Sequence, residues 1–460
     1  MRDVEPEAVV EGLRRVFRRG VTRPVGWRIA QLEALSRMLV ERRDELEDAV
    51  LQDLGKAPGE TRTTEIALLQ LELRHIRRNL YRWLRPRPAA VPLPVQPGRA
   101  ATVFEPLGVA LVIGTWNYPL LLTLSPVAGA LAAGDAVVLK PSELAPATSA
   151  LLAELLPRVL DARAVAVVEG GVDETTGLLE QRFDVILCTG SARVGRVVLE
   201  AAAKHLTPVV LELGGKCPAY VDASADLDVV ADRIAWGKFM NAGQTCVAPD
   251  HVLAGPGVTA ALVPRLEAAA RRMYGGDPLA NEAYCRIVNE RQFDRLVPLL
   301  TDGAVAFGGR HDRGSRRIEP TVLTGVRDDA EVMQQEVFGP ILPILEVAGE
   351  AAAIERVAAG PKPLSAYVFS GARDLRRAWT EGTSSGSLVF GVPLLQLAVP
   401  TAPFGGVGES GTGSYHGRRS LVAFSHEKTV FAKPTRPDTV RLLAPPFTRA
   451  KQAVIDRIAR

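Results

Sequence analysis

Apolar positions along the chain fall into two rhythms. Over residues 26 to about 85 they recur every three or four residues, as at Leu32, Leu35, Leu39, Leu46 and Val50, with Glu, Arg and Asp filling the rest. That spacing predicts long helices with one face turned to a core. A helix before them would carry Val9, Leu13 and Phe17 inward. "PRPAAVPLPVQPG", residues 86–98, holds five prolines and predicts an extended surface stretch. "ATVFEPLGVALVIGT" then reads as two strands around a Pro-Leu-Gly turn. From there strand "GVALVIGT" leads to a helix near 119–133, strand "DAVVLK" to a helix through "SALLAELLPRVL", and strand "AVAVVEG" to a short helix near 174–181. Strand "FDVILCTG", helix "ARVGRVVLEAAAKH" and strand "TPVVLEL" complete the series. The alternation predicts parallel βαβ units with both sheet faces covered. Beyond 213 it resumes from a Gly-rich start, which predicts a second α/β domain.

Composition adds mostly exclusions. A chain of 460 residues exceeds what one core supports, in keeping with two or more domains. Lys plus Arg number 55 against 52 for Asp plus Glu, so the net charge of +3 gives no basic surface for nucleic acid. No run of 18 apolar residues exists, so no integral membrane segment is expected. The first residues carry Asp3, Glu5, Glu7 and Glu11 and match neither a transit nor a signal peptide. The four cysteines, Cys188, Cys217, Cys246 and Cys285, have neither zinc-ligand spacing nor the density of a disulfide framework. No metal site is expected, and a reducing cytoplasm is.

Four stretches carry candidate chemistry, each with two readings. In "CTGSARVG", Gly190 and Gly195 keep the outer spacing of a dinucleotide-binding turn, but Ala192 replaces the middle glycine that lets a pyrophosphate approach. Glycine at a strand-to-helix turn also occurs for geometry alone. In "VVLELGGKCP", Glu212 sits between two leucines at a strand end, either as ion-paired structure or as a tuned acid or base. It also lies 22 residues past Gly190, the spacing of a ribose-binding acid. "GTWNYP" sets Trp116 and Asn117 at the end of a strand, where the Asn is a turn former or an oxyanion donor. "MNAGQTCVAPD" sets Cys246 behind small residues, as a reactive thiol or as a small hydrophobe.

Together the stretches are more specific than any one of them. "WNYP", "VVLKPSE", "TGS", "LELGGK", "NAGQTC", "EVFGP" and "PFGGVGESG" occur in this order, a series that resembles the aldehyde dehydrogenase superfamily over nearly the whole chain. "GVTRPVGWRIAQLEAL", "EAAAKHLTPVVLELGGK", "MNAGQTCVAPD" and "SYHGRRS" resemble its shorter class 3-like branch, the fatty and aromatic aldehyde dehydrogenases. The resemblance implies an α/β fold with a Rossmann-type NAD(P)-binding domain (1–85 and 107–213) and an α/β catalytic domain (214–424). It also implies a small β oligomerisation arm (86–106 and 425–435), a tail (436–460) and a homodimer. Cys246 matches the nucleophile, Asn117 and the Cys246 backbone N–H the oxyanion site, and Glu212 the base for hydrolysis, which displaces its ribose role. For the cofactor, NAD or NADP, the matching positions are Trp116, Lys140, Glu143, Gly190, Ser191, Glu336 and Phe338. Lys140 and Glu143 would hold the adenosine ribose, Ser191 the pyrophosphate and Glu336 the nicotinamide ribose, with Phe338 packing nearby. Cys188, Cys217 and Cys285 read as core thiols, and His416 and His426 as structural. The rivals are a coenzyme A-acylating member, against which an intact Glu212 speaks, and a silent dinucleotide-binding protein, against which the joint retention of Cys246, Asn117 and Glu212 speaks.

The chain departs from the branch at the segment lining the substrate entrance. An Asn-Asp pair usually stands about where Gly391 and Val392 are, and a His near Gln396. Here Phe390, Leu394, Leu395 and Leu397 make the segment apolar. An apolar entrance predicts medium-to-long alkyl or aromatic aldehydes; looser packing of the loop would say nothing of substrate. The tail, with Pro445, Pro446 and five arginines over 436–460, cannot insert as a helix and is expected to be solvated.

Overall fold

The computed structural model describes residues 5–372 and 375–458; positions 1–4 and 459–460, the outer ends of the first and last predicted segments, lie outside the described residues. Its first sheet has six strands. Five are parallel, in the spatial order Val165–Val167, Ala136–Lys140, Val109–Ile113, Val185–Thr189, Val209–Glu212. In chain order that is 3-2-1-4-5, a doubly wound sheet whose direction reverses between Val109–Ile113 and Val185–Thr189. Ligands of such sheets bind beyond the carboxyl ends of the strands at that reversal.

Side-chain alternation explains why the sheet is covered on both sides. Ala110 and Val112 join a core with Leu32, Leu35, Leu39, Leu73, Leu124 and Leu152, from helices Val25–Glu41, Ala67–Trp83, Leu121–Ala133 and Pro146–Val159. Val109, Leu111 and Ile113 face the other way, onto Val10 and Leu13 of helix Pro6–Arg18, Leu178 of Val172–Leu179 and Val198 of Ala192–Ala203. Each fully buried Leu contributes about 1.5–3 kcal/mol, so this layering supplies much of what holds the strand ends in place.

The second sheet has seven strands: Ala304–Phe307, Thr321–Thr324, Ile341–Glu346, His251–Ala254, Pro218–Val221, Ser365–Phe369 and Ser387–Phe390. Only the first pair is antiparallel. The third is a separate antiparallel sheet in which Arg99–Pro106 lies between Arg87–Ala89 and Ser425–Ala432, its long pairing running from Ser425 opposite Pro106 to Ala432 opposite Arg99. The proline-rich stretch thus does contribute a short strand. One segment crosses the boundary that the sequence suggests at 213: Gly411–Thr412 pairs antiparallel with Leu211 and Glu212, and helix Arg418–Ala423 packs on Leu121–Ala133, where a Cβ on Gly129 would meet Ser420 at 2.8 Å.

Candidate active site

The thiol loop begins where helix Leu227–Phe239 ends. Asn241 (φ 53°), Ala242 (φ 49°) and Gly243 (φ 72°) are all left-handed, a conformation costing about 1–2 kcal/mol for each non-glycine residue. Hydrogen bonds hold it there. The Asn241 N–H donates to Glu60 (2.8 Å), and its side-chain amide donates to the carbonyls of Asn117 (2.8 Å) and Gln244 (3.1 Å). Gln244 Nε2 donates to the Asn241 and Arg286 carbonyls (3.0 and 3.1 Å). Thr245 and Tyr118 join hydroxyls at 2.7 Å. Gly243 is required on two grounds: its φ, and the Gly339 carbonyl 2.2 Å from where a Cβ would stand. The turn delivers Cys246, which is partly exposed, whereas Cys188, Cys217 and Cys285 are buried. Cys217 is a brace, donating to the Cys246 carbonyl (3.3 Å) and accepting from Ser365 N–H (3.3 Å).

Asn117 lies past the end of the first strand, buried, at the switch point. Its Nδ2 donates to the Gln244 carbonyl (3.0 Å) and its Oδ1 accepts from Thr115 (3.2 Å). One of its two amide N–H groups is thereby committed and the other is left to act on a bound group. Glu212 ends the fifth strand, buried, and neither of its carboxyl oxygens has a hydrogen-bond partner among the described residues. Burial pushes its carboxyl well above the usual range. Burial, then Glu336, then Glu212 push the Cys246 thiol up as well. Both carboxyls are thus within electrostatic reach of the thiol, and a thiolate forms only by passing its proton to a nearby base. The raised carboxyl gives an ionised Glu212 a stronger hold on a proton than an ordinary carboxylate has.

The remaining predicted positions lie at or just beyond the carboxyl ends of the first sheet's strands, or against residues that do. Gly190 and Ser191 form the turn after the fourth strand. Gly190 N–H is taken by the Glu212 carbonyl (3.0 Å), and Ser191 Oγ accepts from Val194 N–H (3.4 Å), capping the helix. The free N–H groups of that helix start are what attract an anion. A Cβ at Gly195 would meet Leu213 at 3.0 Å, so this glycine serves helix-to-strand packing. Lys140, buried, pairs with the half-exposed Glu143 at 3.0 Å. Glu336 lies against Gly214, where a Cβ would stand 2.0 Å from Oε2, and burial lifts it to about 8. Phe338 meets Trp116 edge-on, centroids 5.4 Å apart. Asp250 fixes this side: it accepts from Val337 N–H (2.8 Å) and pairs with Lys216, which also donates to the Val332 and Gln335 carbonyls (2.8 and 2.9 Å). Burial alone would raise Asp250, but the Lys216 ammonium, the His251 hydrogen bond and the Lys238 charge together outweigh it and hold the carboxyl well below its ordinary value. An anion-accepting turn, a buried lysine with a carboxylate at the rim, and a carboxyl in a glycine cradle fit a dinucleotide, NAD or NADP.

Sequence reasoning passed over several residues. Of the charged residues between the helical leucines, Arg28, Glu47, Asp53, Lys56, Glu65 and Glu72 are buried. Tyr415, buried with its hydroxyl unpaired, faces Glu212, Cys246 and Glu72 closely enough that each raises it after burial does. Leu68, Leu71, Glu72, Leu121, Leu397 and His416, among others, line a small cavity. Of the apolar entrance segment, Leu397 lines this cavity and Leu394 is buried, while Leu395 is 51% exposed and Phe390 lies under Arg376 elsewhere. Gln396 turns inward, donating to Ser365 Oγ (3.1 Å). Helical spacing identifies none of these, because a charge on a buried face reads like one on a wet face.

With this geometry in view, likeness to known proteins is informative. Residues 4–430 match the aldehyde dehydrogenase family. Aldehyde dehydrogenase family 3 member A2 of Mus musculus is 45% identical, over 97% of this chain and 92% of its own length. The dimeric NADP-preferring aldehyde dehydrogenase of Rattus norvegicus is 46% identical, over 92% and 94%. The substrate-bound structure of Staphylococcus aureus AldH superposes with a TM-score of 0.95 at 37% identity, covering 99% of both chains. The chain belongs to the aldehyde dehydrogenase family. It is an oxidoreductase that uses NAD(P)+ to oxidise an aldehyde.

Proposed function

We propose that Cys246 is the nucleophile of this oxidation, Asn117 and the Cys246 N–H its oxyanion site, and Glu212 its base. The observation that carries the reading is Glu212: a buried carboxyl with neither oxygen partnered among the described residues, within electrostatic reach of the one partly exposed thiol among the four. The Cys246 sulfur attacks the aldehyde carbon, its proton passing to Glu212, and the adduct's oxygen takes the free N–H of Asn117. The chemistry that NAD(P)+ supplies when bound is acceptance of hydride. Glu212 gives the thiol's proton up to solvent, and the thioester left on Cys246 is then cleaved by a water whose proton passes through Glu212 to the departing sulfur, releasing the acid and the free thiol. Lys140 and Glu143 would hold the adenosine ribose, the Ser191 turn the pyrophosphate, and Glu336 the nicotinamide ribose, with Trp116 and Phe338 against the ring. Gly190 assists by shape, its N–H being engaged with Glu212.

The same reading assigns residues 1–85 and 107–213 to the cofactor domain and 214–424 to the catalytic domain. The sheet of 86–106 and 425–435 becomes the arm of a homodimer, supported by its exposed Val430 and Phe431. The rat relative's name says dimeric. The apolar segment that holds Phe390, Leu394, Leu395 and Leu397 favours medium-to-long alkyl or aromatic aldehydes. No helix among the described residues is long and apolar enough to cross a membrane, and a cytoplasmic location is proposed. The test follows reduced-nicotinamide absorbance. Cys246→Ala should abolish turnover, and Glu212→Gln should give one burst of reduced cofactor and then stall. A Glu212→Gln enzyme with an unchanged steady state removes Glu212 as the base.

A further inference from the structure

Beneath the thiol loop lies a set of charges that the oxidation does not consume. Lys56 is fully buried, donates to Glu65 at 2.7 Å and to the Asn117 carbonyl at 3.3 Å, and stands 3.9 Å over the Tyr118 ring. Glu65 accepts from the N–H groups of Leu120 (2.8 Å) and Leu121 (3.2 Å), where the helix that follows Asn117 begins. Glu60 accepts the Asn241 N–H at 2.8 Å.

Both branches end on one residue. The Asn117 carbonyl takes Lys56 from one side and the Asn241 amide from the other (2.8 Å), and the Asn117 and Asn241 amides share the Gln244 carbonyl (3.0 and 3.1 Å). An oxyanion donor accelerates reaction only if it is held in place before charge develops. Capping the helix that begins at Leu121 would explain Glu65 alone. It does not explain why a lysine is buried with it, since burying a charge pair is costly and an uncharged cap would serve. Nor does it explain why Glu60 grips the left-handed turn.

We propose that Lys56, Glu65 and Glu60 are positioning residues for the oxidation step. They fix Asn117 and the turn at Asn241, so that the oxyanion donor and Cys246 are in register before the aldehyde arrives. The inference rests on the assignment of Asn117 to the oxyanion.

The test is single-turnover hydride transfer by stopped flow, with an aldehyde and its 1-deuterio form, alongside NAD+ affinity by equilibrium dialysis and melting by calorimetry. The variants are Glu60→Leu, Glu60→Gln, the charge-free pair Lys56→Met/Glu65→Gln, and Asn117→Ala. Glu60→Leu and the pair should slow hydride transfer by about tenfold to a hundredfold, with a primary isotope effect on kcat and unchanged NAD+ affinity. Glu60→Gln, which keeps an oxygen for the Asn241 N–H, should stay within about threefold of wild type. Wild-type hydride transfer in Glu60→Leu and in the pair, with Asn117→Ala slow, overturns the network's role alone. Wild-type transfer in Asn117→Ala overturns the oxyanion assignment and the network with it. A loss matched in every variant by weaker NAD+ binding marks a general fold defect and also overturns the proposal.

Discussion

Replacing Gly243 with alanine perturbs the proposed nucleophile loop at the point where it presses on Gly339. Two costs follow from the geometry. The residue has φ 72°, so alanine there takes a left-handed conformation, at about 1–2 kcal/mol. Its Cβ would stand 2.2 Å from the Gly339 carbonyl oxygen, 2.5 Å from the Gly339 carbonyl carbon and 3.0 Å from the Lys238 carbonyl oxygen. Carbon and oxygen ordinarily meet at about 3.3 Å, so something must move by about 1 Å. Every close neighbour is backbone, which yields less readily than a side-chain tip, and overpacking of this kind adds about 1–3 kcal/mol. Gly339 directly follows Phe338, so the shift separates Cys246 from the proposed nicotinamide side. A misplacement of about 1 Å in a reacting pair lowers kcat/KM about a hundredfold. The control is Gly257→Ala, where φ is 75° but nothing lies within 4 Å of the added Cβ. It should show the conformational cost in urea unfolding and keep kcat/KM within about twofold of wild type. Gly243→Ala with near wild-type kcat/KM, or a Gly257→Ala enzyme equally impaired, would refute the reasoning.

Three further outcomes can be checked. Glu336 titrates at about 8 and opposes the thiolate only when ionised. Iodoacetamide should therefore alkylate Cys246 equally fast in wild type and Glu336→Gln below that pH, and faster in the variant above it; parallel profiles throughout would contradict this. Gly214→Ala puts a Cβ 2.0 Å from the Glu336 carboxyl, a side-chain tip that can swing away. It should raise KM for the cofactor with little change in melting temperature, and an unchanged KM would count against Glu336 as a ribose contact. Burial lifts Glu72 to about 7 in the fold, against an unfolded value near 4.5. The folded protein therefore binds the extra proton, and stability falls as pH rises between those values. Glu72→Gln should melt increasingly higher than wild type as pH rises from about 4.5 to about 7 and keep that lead above it, and a pH-independent difference would exclude this cause.

Much of the architecture is legible because burial leaves a periodic trace. Val109 to Ile113 has no polar residue, as a strand covered on both faces must, and the helices between such strands keep their three- and four-residue steps. The residues proposed for the chemistry are legible for another reason: Cys246, Asn117 and Glu212 sit at strand ends or beside glycines, where packing alone does not demand them. What stays hidden is charge turned inward. Lys56, Glu65 and Glu72 occupy positions that in isolation read as a wetted helix face, and only tertiary contacts give them partners. The turn at Asn241 and Ala242 is hidden too, since neither residue is a glycine, and its left-handed form is held in part by bonds to residues over a hundred positions away.

The two-residue strand Gly411–Thr412 bears on how such proteins can be recombined. It closes the edge of the sheet on which Glu212 sits, yet it is contributed by chain some two hundred residues further on. A chimera spliced at residue 213 would join one parent's Glu212 strand to another parent's edge strand. Its success would depend on whether Gly411 stays bare, because the Leu211 carbonyl lies 2.1 Å from where a Cβ would be. The transferable unit is the six-stranded sheet together with its returning edge, and donors for domain exchange are best matched at Gly411 as well as at the splice.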